Sequence, residues 1–145
     1  MNVTTLVNTK FNANGYIAYN KDTNQIIIAF MGTEFLTYNL ITDLKYFLKS
    51  YPICKQDCEI HRGFMDHYKS FENDLIKHVV ELNKDYPSAS VIVTGHSLGG
   101  AIATLALMKL EVILPSDVSI TLITFGSPKV GNAAFAEYMN HLRSP

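Results

Sequence analysis

Tryptophan is absent, cysteine occurs twice and proline five times in 145 residues, and neither sign of charge dominates. Twelve Lys and Arg stand against thirteen Asp and Glu, for a net charge of −1. Without a basic excess there is little to condense on a phosphate backbone, so no nucleic-acid partner is expected. No apolar run reaches the roughly 18 residues of a membrane span, so no transmembrane segment is expected. The first residues, Met1-Asn2-Val3-Thr4-Thr5, lack the basic-then-apolar order of a signal peptide. Internal repeats and low-complexity stretches are missing too. Cys54, Cys58, His61 and His67 are spaced C-x3-C-x2-H-x5-H, a poor pattern for structural zinc, and no metal is expected.

What is present is a globular composition, 48% hydrophobic and 17% charged. Its length fits a single domain over residues 1–145, long enough to bury a core. Short apolar runs alternate with helical ones, which argues for an α/β fold with a mainly parallel sheet. Gly15–Tyr19 and Gln25–Met31 read as strands, joined closely enough to form an antiparallel hairpin. Phe64, Tyr68, Phe71, Leu75, Val79 and Leu82 recur at steps of three and four, predicting one helix from Phe64 to Tyr86. Val91–Thr94 is a buried strand, Leu98 to about Ile113 a helix, and Val118–Phe125 another strand. A last helix runs from Asn132, a suitable N-cap, to about Leu142.

The strongest chemical signal is Gly95-His96-Ser97-Leu98-Gly99, lying between a strand and a helix. A tight strand-to-helix turn forces its central residue into a strained backbone. It also forbids bulk two residues before and after, hence Gly95 and Gly99. Ser97 is thereby thrust out as a nucleophile, in front of a helix N-terminus that favours developing negative charge. The ring of His96 is expected to pack under the turn. An oxyanion hole needs two N–H donors: Leu98 supplies one, and Thr33, leaving the strand that ends Phe30-Met31-Gly32, is placed to supply the other.

Five segments now stand in order: 28–33 (Ile-Ala-Phe-Met-Gly-Thr), 39–44 (Asn-Leu-Ile-Thr-Asp-Leu), 60–64 (Ile-His-Arg-Gly-Phe), 93–101 (Val-Thr-Gly-His-Ser-Leu-Gly-Gly-Ala) and 124–132 (Thr-Phe-Gly-Ser-Pro-Lys-Val-Gly-Asn). Together they resemble the class 3, fungal-type lipases, from about Gly15 to Met139. The resemblance implies an α/β-hydrolase three-layer sandwich and a serine carboxylic ester hydrolase of the triacylglycerol lipase type. No cofactor is implied. A feruloyl-type esterase and a catalytically inactive lipase-like binding or regulatory protein are the alternatives. The family usually has Arg at the position of Met31 and Trp at that of Leu40, departures that bear on substrate fit rather than on the elbow.

By the same resemblance, Asp43 orients the Thr33 hydroxyl. His61 either lines the pocket or bonds nearby backbone; a satisfied structural histidine is the competing reading. Glu34–Lys49, with Leu36, Leu40, Leu44, Phe47 and Leu48 on one helical face, is either a lid or a fixed helix. Cys54 and Cys58 match a short-range disulfide of secreted relatives, against two reduced thiols as the alternative. The resemblance leans towards secretion.

In the α/β-hydrolases the acid and then the histidine follow the nucleophile. After Ser97 the candidates are Glu111, Asp117, Glu137 and His141. Glu111 lies thirteen residues down the helix from Leu98, roughly 20 Å away. Asp117 precedes its strand, at the opposite end of the sheet from Ser97. Glu137 and His141 lie about 8–14 Å along the last helix. In relatives the acid and histidine follow later strands, before which this sequence stops. The expectation is a truncated sheet and an inert or nearly inert hydrolase. Its apolar edge strand should pair with a second copy or another chain that completes the sheet. Lipid or small-ester substrates at a lipid–water interface are the expected ligands.

Overall fold

The computed structural model describes residues 2–9, 13–32, 48–51 and 57–142. Five strands form the main sheet in the order β1 (Asn2–Asn8), β2 (Ala13–Asn20), β3 (Gln25–Phe30), β6 (Ser90–His96) and β7 (Ile120–Phe125). Between β3 and β6 the chain makes a small hairpin, β4 (Leu48–Ser50) with β5 (Glu59–His61), and two helices, α1 (Arg62–Lys69) and α2 (Glu72–Asp85). Helix α3 (Leu98–Ile113) links β6 to β7, and α4 (Ala133–His141) follows β7.

The expected hairpin is there: β2 and β3 run antiparallel with Asn20 opposite Gln25. β3, β6 and β7 run parallel, so their carboxyl ends gather at one edge. The strand β1, which local pattern does not announce, extends the sheet antiparallel beside β2.

Register sorts the side chains into two rows. Ile17, Ile28, Val93 and Leu122 lie side by side on one face, the first three fully buried. Tyr16, Ala29, Thr94 and Ile123 share the other face, where Tyr16 and Ile123 are exposed. α3 packs on β6, β7, β3 and α1, and α2 on β1, β2 and β3. Eleven of the sixteen α3 residues are buried, so it is apolar nearly all round, as a central helix must be.

The helix predicted over Phe64–Tyr86 is broken in two. Ser70 accounts for the break: its Oγ donates to the His67 carbonyl at 2.6 Å, and Phe71 N–H turns back to the Tyr68 carbonyl at 3.0 Å. Such side-chain-to-backbone bonding competes with helix continuation. The apolar stripe survives, with Phe64, Tyr68, Phe71, Leu75 and Val79 all buried. Burial, and then the neighbouring Glu72, pushes the Tyr68 hydroxyl far above the usual tyrosine range. Cys58 is buried and disulfide-bonded, while Cys54 lies outside the described residues. The expected lid also lies outside them as far as residue 47. Leu48 and Lys49, which that reading put on a helix, belong instead to β4.

Candidate active site

β6 is the middle strand of the parallel set, flanked by β3 and β7, and Ser97 follows its last residue. Ser97 takes φ 54° and ψ −121°, a left-handed backbone that only a tightly determined turn imposes on a non-glycine residue. Both of its backbone groups are fixed. Its N–H donates to the Phe125 carbonyl at 2.9 Å, and its carbonyl accepts from Gly100 N–H at 2.9 Å and Ala101 N–H at 3.2 Å.

A serine ahead of a helix ordinarily has an extended backbone and caps the first turn with its hydroxyl. Ser97 makes no such cap bond. Its positive φ departs from that capping backbone, and the residue is half-buried. The first turn of α3 holds no acidic residue to neutralise its amide dipoles. Leu98, the first residue of α3, has an N–H with no intrahelical acceptor.

Glycine is required here by contact. A Cβ on Gly95 would lie 2.2 Å from the carbonyl carbon and oxygen of Gly99. One on Gly99 would lie 2.2 Å from the Phe30 carbonyl oxygen. β3 is thus pressed backbone to backbone against the start of α3. One on Gly32 would lie 2.7 Å from the His96 carbonyl oxygen and 3.5 Å from Ser97 Cβ. The chain leaving β3 therefore passes directly beside Ser97. Thr33 and Asp43 lie outside the described residues.

On the other side, the loop after β7 closes on the same turn. A Cβ on Gly100 would lie 2.9 Å from Ser127 Cβ. Asn132 anchors the far end of this loop: its Oδ1 accepts from Phe135 N–H at 3.0 Å and Glu59 N–H at 3.2 Å, and its Nδ2 donates to the Asp57 carbonyl at 2.6 Å. The predicted N-cap of α4 is therefore also a strap to β5. Sequence pattern found the cap and missed the strap, because Glu59 is distant in the chain. A cavity of about 550 Å³ opens between α3, this loop and α4, lined by Thr104, Val130, Phe135 and Met139 among others.

His96 corrects an expectation. It is exposed, and its ring lies beside Gly126 rather than under the turn. Strand alternation sends it to the face shared with Phe125, its register partner. His61 is buried at the junction of β5 and α1, its ring 4.5 Å from that of Phe64. Its backbone N–H donates to the Val130 carbonyl at 2.9 Å. Desolvation lowers its pKa below 6.5, which favours the neutral imidazole.

The structure does not bring the remaining candidates to Ser97. His141 lies on the last turn of α4 with Nδ1 2.8 Å from the Glu137 carbonyl. Glu111 is near the far end of α3, and Asp117 precedes β7. His67 turns to the Gly63 carbonyl at 2.8 Å, and His78 to Glu81 at 3.5 Å. Among the described residues, no imidazole is hydrogen-bonded to the Ser97 hydroxyl. Nor, among them, do three His, Cys, Asp or Glu side chains gather as a metal group.

Residues 27–144 match the family described as Lipase (class 3). A lipase of Rhizomucor miehei is 39% identical over 132 residues, covering 89% of this chain and 36% of its own length. A secreted mono- and diacylglycerol lipase of Penicillium camembertii is 34% identical over 125 residues, covering 86% of this chain and 40% of its own length. The solved lipase II of Rhizopus niveus superposes with a TM-score of 0.88 at 35% identity, over 98% of this chain and 54% of that one. The chain thus spans well under half the length of these two curated relatives.

Proposed function

This chain belongs to the class 3 lipase family, and from that premise we propose that it hydrolyses carboxylic esters of the acylglycerol type with Ser97 as the nucleophile. The observation that carries the reading is the backbone of Ser97, held at φ 54° between β6 and α3 with its hydroxyl unused by the helix.

In this reading Ser97 Oγ attacks the ester carbonyl carbon and its proton passes to an imidazole. The carbonyl oxygen becomes an oxyanion, held by the N–H of Leu98 and of Thr33; Asp43 orients the Thr33 hydroxyl. The imidazolium returns the proton to the departing alcohol, leaving an acyl-serine. Water, activated by the same imidazole, releases the acid and restores Ser97. The dipoles of α3, unopposed by any acid in its first turn, favour the oxyanion.

The imidazole and its orienting acid come from outside the described residues. β7 supports one place for them: it is an edge of the described sheet, and it exposes Ile123 and Phe125. A strand paired there would both cover the edge and bring a base to Ser97. Without such a base, Ser97 would keep only the oxyanion hole and binding, worth about 10³–10⁴ over water in serine hydrolases. The disulfide at Cys58 and the relative described as secreted support an oxidising compartment.

A fluorophosphonate probe tests the assignment. Slow labelling of the wild-type chain, absent in Ser97→Ala, is expected. Equal labelling in Ser97→Ala overturns the nucleophile. Fast labelling of a monomer, its state fixed by light scattering, overturns the external base.

A further inference from the structure

The β4–β5 hairpin and α1 enclose a cleft of about 210 Å³, away from Ser97. Its floor is apolar, made by the buried Ile60 and Met65. Its rim carries Lys49 from β4 and Arg62 and Lys69 from α1, with Asp66 as the one carboxylate among the lining residues. Arg62 Nε lies 3.6 Å from Asp66 Oδ2, but both side chains are well exposed, so the pair is weak and easily re-paired.

Three cations against one carboxylate leave the cleft two charges positive, in a chain whose net charge is −1. Among the described residues, no carboxylate is within ion-pair distance of Lys49 or Lys69. Lys69 Nζ sits 5.5 Å from the centre of the Tyr51 ring. Tyr51 first, and then the nearby carboxylates of Glu72 and Asp66, raise the Lys69 pKa above its ordinary value, so the ammonium stays charged. Ser50 adds a hydroxyl to the rim. At about 30 Å³ per water molecule, the space holds a small tetrahedral anion with its first waters.

We propose that the cleft between the β4–β5 hairpin and α1 binds a phosphate group. Two ammonium groups act as point charges, and the Arg62 guanidinium offers a planar fork once Asp66 yields it. The phosphate is either the headgroup of a phospholipid surface or a soluble phosphate monoester. The proposal does not rest on ester hydrolysis, so the test uses Ser97→Ala chain, in which no lipid is cleaved.

Co-sedimentation with phosphatidylcholine vesicles, plain or doped with phosphatidic acid, reads the first source. Amide chemical shifts during titration with inorganic phosphate or glycerol 3-phosphate read the second. Preference for doped vesicles is expected, falling roughly 20–30-fold in Lys49→Gln/Lys69→Gln, since each cation near an anionic surface contributes about fivefold. Lys77→Gln/Lys84→Gln, which removes equal charge from α2, should leave the preference within about twofold. Shifts confined to Lys49–Tyr51 and Arg62–Lys69 with soluble phosphate, without vesicle preference, assign the soluble source. No binding of either probe, or equal losses in the two double variants, overturns the proposal.

Discussion

Two chain segments meet at Ser97, and they are held by opposite means. The turn from β6 to α3 is a single residue, fixed by excluded volume: any Cβ on Gly95 or Gly99 would collide with backbone. The loop from β7 to α4 is longer and is fixed mainly by hydrogen bonds, four of them through Asn132 and its backbone N–H to Glu59. Steric exclusion tolerates no substitution but allows no drift. Hydrogen bonding tolerates replacement by graded losses. Ser97 sits on the first kind of support, and the cavity between α3 and α4 is walled by the second.

The sharpest test of this contrast is Gly95→Ala. Its methyl group would meet three backbone atoms of Gly99 and Gly100 within 2.7 Å. Stability should fall by about 3 kcal/mol or more, read by urea denaturation. A loss under about 1 kcal/mol would show that the turn can shift and would dissolve the contrast. Gly131→Ala probes the one point where the second loop borrows the steric principle, since its Cβ would lie 2.3 Å from the Glu59 carbonyl oxygen. It should cost nearly as much as Gly95→Ala.

Asn132→Ala should cost about 1–2 kcal/mol, combining a lost cap with lost straps to Glu59 and Asp57. Asn132→Asp keeps the two acceptor bonds and loses only the donation to Asp57, so it should cost less. Ser97→Gly works in the opposite direction. Removing the side chain relieves the left-handed strain and should raise stability by about 1 kcal/mol while abolishing fluorophosphonate labelling.

The smallest effect is a pH dependence at His61. Burial lowers its pKa below 6.5, so the unfolded chain binds the proton more readily than the folded one. The stability contributed by neutral His61 is full above pH 6.5 and is lost as pH falls from there through the depressed folded value. His61→Gln should flatten that slope in urea midpoints taken between about pH 7.5 and pH 5.

What could be read from the sequence was what neighbouring residues decide. The Ser97 turn, α3 and the Asn132 cap are all local patterns, and each sits where periodicity and glycine spacing put it. The strand β1 was not legible, because Asn2–Asn8 becomes a strand by pairing with β2 rather than by its own alternation. The break at Ser70 was hidden because the apolar stripe continues across it unbroken. His96 was misplaced because its orientation follows the pleat of β6, which the elbow pattern alone does not reveal.

Helix α3 carries a consequence for the timing of the site. A segment this apolar has no solvated existence of its own; it is helical only while the sheet and α1 enclose it. Ser97 stands at its first turn. The strained backbone of Ser97 is therefore a property of the folded molecule alone, and amide protons of Ala101–Leu110 should exchange only when the whole chain opens. Any partly unfolded form that loses α3 loses the backbone of Ser97 with it.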